Sequence, residues 1–163
     1  MIKPAGFYNQ KAVYLQALSN LYLTYNVQGI LPSRQQLLAC KGIGKETADS
    51  ILVYCFQRPV PVVGTYTRRV LARIHGDVTY LKRSYETIQN EQYSELPNDF
   101  EVFGRFHALI VCHSQNYCQK NKPKCVDCIL SEKCIYGKNH ETNLTIAHIQ
   151  NAISPSKQKN TPD

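Results

Sequence analysis

The chain has 163 residues, 43% of them hydrophobic, so it is one domain or two small ones with a real core and not a disordered polypeptide. No apolar run approaches the roughly eighteen residues needed to span a bilayer, and the start Met-Ile-Lys-Pro-Ala-Gly has no signal-peptide apolar region. The net charge of +7 and a pI near 9.0 suit a phosphate-rich partner.

The pattern predicts an all-α fold. From Asn9, apolar residues recur at Ala12, Leu15, Leu18, Leu21 and Leu23, close to helical spacing, and Gly29 ends the run. Ser33 is placed to cap a short second helix with Leu37 and Leu38 as its apolar face. After Gly42-Ile43-Gly44 a third helix runs from Lys45 to Phe56, with Ala48, Ile51, Leu52 and Cys55 as its buried stripe. Pro59 and Pro61 break it, and Val60 to Val63 form a short extended piece that meets Gly64. A fourth helix follows from Thr65 to about His75, and Gly76-Asp77 turns the chain. Ser84 to about Leu96 reads as a polar helix, and Phe100 to His113 as a stronger one with Phe103, Phe106, Ile110 and Val111 apolar. The organisation predicted is a helical lobe over 1–63, a second over 64–138 and a polar tail over 139–163, its last dozen residues frayed.

Two stretches carry chemistry. Gly42-Ile43-Gly44 between short helices fits a helix-hairpin-helix, a device that holds a nucleic-acid phosphate without reading sequence. Glycine tolerates positive φ and leaves backbone N–H groups open at the start of the next helix, where an anion is favoured. Ile43 would plug the groove between the helices. Lys41 and Lys45 add charge, and Thr47 adds a hydroxyl. An ordinary turn between two helices is the plainer reading of a lone Gly-x-Gly.

The second stretch holds Cys118, Cys125, Cys128 and Cys134 within seventeen residues. In a cytoplasm that keeps thiols reduced, such a cluster reads as metal ligands and not as disulfides. One Cys-x-x-Cys flanked by single cysteines leaves zinc and iron–sulfur level on spacing alone. Either centre would fold a loop otherwise too polar to pack, and Lys120, Lys122 and Lys124 would form a basic knuckle on it. Cys40, Cys55 and Cys112 sit among apolar residues and read as small buried hydrophobes. His107 and His113 lack a third ligand nearby and read as packing or surface residues.

The hairpin, then Val62-Val63-Gly64-Thr65, then Arg68-Arg69-Val70, then Cys-x6-Cys-x2-Cys-x5-Cys resembles the endonuclease III superfamily of DNA glycosylases from about residue 5 to residue 136. The wording from Lys41 to Leu52, and Phe103-Gly-Arg-Phe-His107, look closest to the branch that removes alkylated bases such as 3-methyladenine. The resemblance implies a helix-hairpin-helix glycosylase fold with a C-terminal [4Fe–4S] loop on the four cysteines. It implies base excision repair of double-stranded DNA, with the damaged base flipped into a pocket, in a cytoplasmic, nucleoid-associated monomer.

Three departures accompany the resemblance. Glu46 stands where bifunctional members carry a Schiff-base lysine, so a monofunctional glycosylase is expected. Gly64 stands where the family carries an aspartate that stabilises the positive sugar, so activity is expected to be impaired; Glu46 and Asp49 are the nearby acids. Gly6-Phe-Tyr-Asn-Gln-Lys-Ala12 matches a stretch that members reach only after several helices, so an uncovered apolar face and dependence on an N-terminal segment are expected. The alternatives are a non-catalytic DNA-binding remnant of the family and a zinc-stabilised nucleic-acid module.

Overall fold

The computed structural model describes residues 3–139, and every regular element in them is helical. The chain divides into two compact units built from separated segments. One holds the chain up to Thr67 together with Arg83–Ile110; the other holds Arg68–Lys82 and the chain from Val111 onward. The sequence reading instead separates its two helical lobes between residues 63 and 64, with the tail set off at 139. Helices running through a unit boundary hide such a division, because periodicity does not break there. Of the expected tail over 139–163, all but residue 139 lies outside the described residues.

In the first unit, α1 spans Tyr8–Asn26. None of its 19 residues is buried. Leu18 and Leu21 pack against a buried cluster of Leu37, Ala48 and Leu52, whereas Leu15 and Leu23 are 52% and 57% exposed. The predicted apolar face is thus only partly covered by the described residues. Gly29, at φ 68°, sits in the turn that follows, where Ile30 N–H donates to Tyr25 O.

Ser33 caps α2 (Arg34–Ala39) as expected, within a reciprocal pair: Gln36 N–H donates to Ser33 Oγ at 3.3 Å, and Ser33 N–H to Gln36 Oε1 at 2.7 Å. The hairpin leads into α3 (Lys45–Ser50), which continues as a π-helical turn over Ile51–Cys55. Phe56 N–H reaches back five residues to Ile51 O. That wider turn changes the predicted stripe. Ala48, Asp49, Leu52 and Val53 are buried, while Cys55 is exposed and Phe56 packs inward.

The extended run 61–64 is buried. Val62 joins Val53 and Phe103 in a second cluster flanked by Leu96 and Phe100. Two more helices complete this unit's core. α5 (Tyr85–Glu95) is capped by Ser84, and α6 (Phe100–Asn116) is capped by Asp99, whose Oδ1 accepts from Glu101 and Val102 N–H. α5 is polar yet buries Gln89 and Gln92 beside Ile88. Earlier in the chain, α4 (Thr65–His75) follows Gly64, runs into the second unit, and buries Val70 and Ala72.

The isolated cysteines depart from expectation. Cys55 and Cys112 are exposed and Cys40 is half-buried, so they are not core hydrophobes. No helix among the described residues is long and apolar enough to cross a membrane.

Candidate nucleic-acid interface and cysteine pocket

The hairpin between α2 and α3 is built by three residues with separate tasks. Ile43 N–H donates to Cys40 O at 3.1 Å, closing the turn. Ile43 packs its side chain against the Leu37, Ala48 and Leu52 cluster, the plug expected of it. Gly42 sits at φ 85°, and a Cβ there would stand 2.2–2.5 Å from three carbons of the Tyr14 ring of α1. Glycine is therefore required twice over, by backbone conformation and by the ring packed upon it. Gly44 differs: its φ is −89° and a Cβ would meet nothing. The first helical bond of α3 is Ala48 N–H to Gly44 O, so the amides before it have no intrahelical partner.

The polar residues around the hairpin divide in two. Lys41, Glu46 and Thr47 are exposed. Lys45 is engaged: its Nζ lies 2.5 Å from Glu86 Oε1 and 6.0 Å from the centre of the Tyr85 ring. This pairing holds the Glu86 carboxyl below its usual range. Sequence reasoning had no means to find it, because the partners are distant in the chain.

The two nearby acids are also in different situations. Asp49 is fully buried and clamped: Arg34 donates to both carboxylate oxygens, and Gln89 Nε2 donates to Oδ2 at 2.9 Å. Gln89 Nε2 also donates to Pro61 O at 2.8 Å, tying α5 to the extended run. Tyr85 Oη accepts from Val63 N–H at 3.2 Å, and burial pushes its hydroxyl pKa well up. Asp49 is a structural anchor. Glu46 instead lies over Gly64. A Cβ on Gly64 would stand 2.6 Å from Glu46 Oε1, 3.1 Å from Cδ and 3.4 Å from Oε2. The Glu46 carboxyl has no hydrogen bond or ion pair among the described residues, and desolvation pushes its pKa up although the residue keeps an open side.

The second unit contains the cysteine loop. Cys118, Cys125, Cys128 and Cys134 line one pocket, with Val70, Ile74, Pro123 and Leu130 as apolar wall. The Cys125 thiol is pushed up by burial first and then by the Cys134, Cys118 and Cys128 sulfurs, which puts the four within electrostatic reach. They do not converge on a point. Among the described residues no three metal-binding side chains are grouped to hold an ion. One reason is visible: Cys134 Sγ is turned to Arg73 O at 3.3 Å. Two arginines of α4 fasten the loop. Arg69 Nε donates to Cys118 O, and Arg73 donates to Cys118 Sγ at 3.2 Å and to the Gln119 and Lys120 carbonyls. The part played by Arg73 went unread in the sequence, although its spacing of four from Arg69 puts both on one helix face. His113 Nε2 lies 3.8 Å from Cys128 Sγ, and burial pushes its pKa down. Lys120, Lys122 and Lys124 are exposed.

Residues 1–94 match the family described as HhH-GPD superfamily base excision DNA repair protein. The chain belongs to the HhH-GPD superfamily. Within it, the chain is 37% identical over 144 residues to a Methanocaldococcus jannaschii protein, MJ1434, whose name provisionally makes it a DNA repair glycosylase; the match covers 83% of this chain and 64% of that protein. It is 29% identical to an endonuclease III of Sulfolobus acidocaldarius, over 83% of this chain and 60% of the relative. This HhH-GPD chain thus spans under two thirds of the length of these relatives. Among solved structures it resembles a non-covalent endonuclease III–DNA complex at a TM-score of 0.70 and 23% identity, covering 86% of this chain and 64% of that one. A thermostable thymine-DNA glycosylase superposes at 0.68 with 25% identity, covering 85% and 63%. The all-helical HhH-GPD fold follows from these likenesses.

Proposed function

We propose that this chain is a base-excision DNA glycosylase of the monofunctional kind, acting on double-stranded DNA that carries an alkylated base. The observation that carries the reading is the hairpin. Its turn is locked by Gly42 against Tyr14 and plugged by Ile43, and it presents early α3 amides beside Lys41 and Thr47. Such a turn grips a phosphate by backbone N–H groups and neighbouring positive charge, without base contacts. The relatives' names and the DNA in the neighbouring structures support the same reading. Glu46 supports a monofunctional outcome, because a carboxylate cannot form an imine. The motif wording supports the alkylated-base class.

The four cysteines suit a [4Fe–4S] cluster. The donor set is four thiols in one largely apolar pocket, braced by Arg69 and Arg73. A bound cluster would supply no step of base removal; it would fix the loop that carries Lys120, Lys122 and Lys124 for phosphate contact. All four thiols would have to draw together to hold it, Cys134 by turning from Arg73 O.

The test is base release from methylated duplex DNA by the full chain, with binding to unmodified duplex followed beside it. Release of 3-methyladenine supports the reading. Salt-sensitive binding without release supports instead a non-catalytic DNA-binding remnant, the second reading, which Gly64 favours by leaving the family's aspartate position without a carboxylate.

A further inference from the structure

Within that glycosylase reading, the acids around the hairpin can be sorted by what already holds them. Asp49 is buried under Arg34 and Gln89, and Glu86 is paired with Lys45. Neither has a carboxylate to offer a substrate. Glu46 does: its carboxyl has no partner among the described residues and one open side. It lies where a side chain on residue 64 would begin, within 3.4 Å of that point by both oxygens.

We propose that Glu46 is the catalytic carboxylate of this chain, reaching the reacting sugar through the space that Gly64 leaves empty. Gly64 then has a positive role. Any side chain there would meet Glu46 Oε1 at 2.6 Å and push the carboxyl aside. The missing acid at position 64 and the free acid at position 46 are two halves of one replacement.

The step balances simply. A base alkylated on a ring nitrogen carries a positive charge. The bond from C1′ to that base breaks, and its electron pair leaves with the base, which departs neutral. A water oxygen bonds to C1′, and one water proton passes to the Glu46 carboxylate and then to solvent. The products are the free base, an abasic sugar with a hydroxyl at C1′, and one proton. An unpaired carboxylate aids both halves, by facing the positive sugar and by accepting the proton. Desolvation makes Glu46 a better base than a glutamate in water. The neighbouring charges Lys45, Arg34, Asp49 and Glu86 are engaged with one another and leave its carboxyl unpaired.

The experiment compares wild type, Glu46→Gln, Glu46→Asp and Gly64→Ala as full chains. Single-turnover base release from methylated duplex DNA is read across pH, and affinity for a duplex with an abasic site is read in parallel. We expect Glu46→Gln to lose about 100-fold or more in release with affinity kept within roughly threefold. Glu46→Asp should retain part of the rate. Gly64→Ala should slow release by displacing Glu46. Wild-type release should rise with pH to a plateau, and the residual release of Glu46→Gln should be flat. Release by Glu46→Gln at the wild-type rate overturns this proposal and leaves the glycosylase reading standing. So does loss of release together with loss of DNA affinity, which marks a structural role. Absence of release by wild type itself overturns both.

Discussion

Arg34 holds Asp49 through two hydrogen bonds, Nε to Oδ1 at 2.6 Å and Nη2 to Oδ2 at 2.9 Å, on a carboxylate with no exposed surface. Removing either partner strands the other. Asp49→Ala leaves the Arg34 guanidinium without its acceptor and the Gln89 amide with Pro61 O alone. With Arg34 still a third exposed, we expect a loss of about 3 kcal/mol, at the low end for a broken buried pair. Urea unfolding measures it, and a loss under about 1 kcal/mol would show that the clamp is not an anchor.

The hairpin glycines should behave differently from each other. Gly42→Ala must both strain a φ of 85° and displace the Tyr14 ring, so we expect it to cost about 2 kcal/mol or more. Gly44→Ala meets nothing and keeps an ordinary extended backbone, so its stability should stay within about 0.5 kcal/mol of wild type. Any Gly44→Ala defect should appear in DNA affinity, where the new methyl stands beside the early α3 amides. Thermal unfolding and duplex binding measured on both variants separate the two roles.

Lys45 has its charge partly neutralised by Glu86. Glu86→Gln should free it for phosphate. We expect duplex affinity to rise and the salt slope to steepen by up to about one counterion. An unchanged slope would place Lys45 outside the DNA footprint.

Glu46 gives a pH signature in stability. Its folded-state pKa is raised by burial, so the charged form is penalised in the fold. The sign follows: the relative stability is fully present below the unfolded pKa and is lost as pH rises through the raised folded value. Glu46→Gln should therefore unfold no earlier than wild type at neutral pH, and its advantage should vanish in acid. Melting temperatures from pH 4 upward decide the matter, and a destabilised variant at neutral pH contradicts the direction.

For the cysteine pocket, anaerobic reconstitution with iron and sulfide should give a brown protein with broad visible absorption and a higher melting temperature. Arg73→Ala removes the contacts to Cys118, Gln119 and Lys120 and should hasten bleaching by a chelator. A colourless protein binding stoichiometric zinc would replace the iron–sulfur reading.

Much of this was legible from local patterns. Ser33 announced α2, Gly42-Ile43-Gly44 announced the hairpin, and α1 to α6 fall close to the predicted helical stretches. What escaped was set by contacts between distant residues. Asp49 is only a nearby acid in the sequence until Arg34 and Gln89 close around it. Cys55 follows the α-helical period on paper, but the π-helical turn moves it to solvent. Glu46 and Gly64 are eighteen residues apart in sequence, and only the folded chain shows one filling the space of the other.

Tyr14, finally, lies on the helix with the weakest hold. No residue of α1 is buried, so its amides should exchange with solvent at a lower opening energy than those of α5 or α6. Yet the Tyr14 ring is what backs the hairpin turn at Gly42. Each time α1 loosens, the turn loses its brace. The duplex affinity proposed for the hairpin should therefore fall on warming at temperatures where the cores around Leu37 and Phe103 are still intact, and anything that steadied α1 would raise it without touching the hairpin.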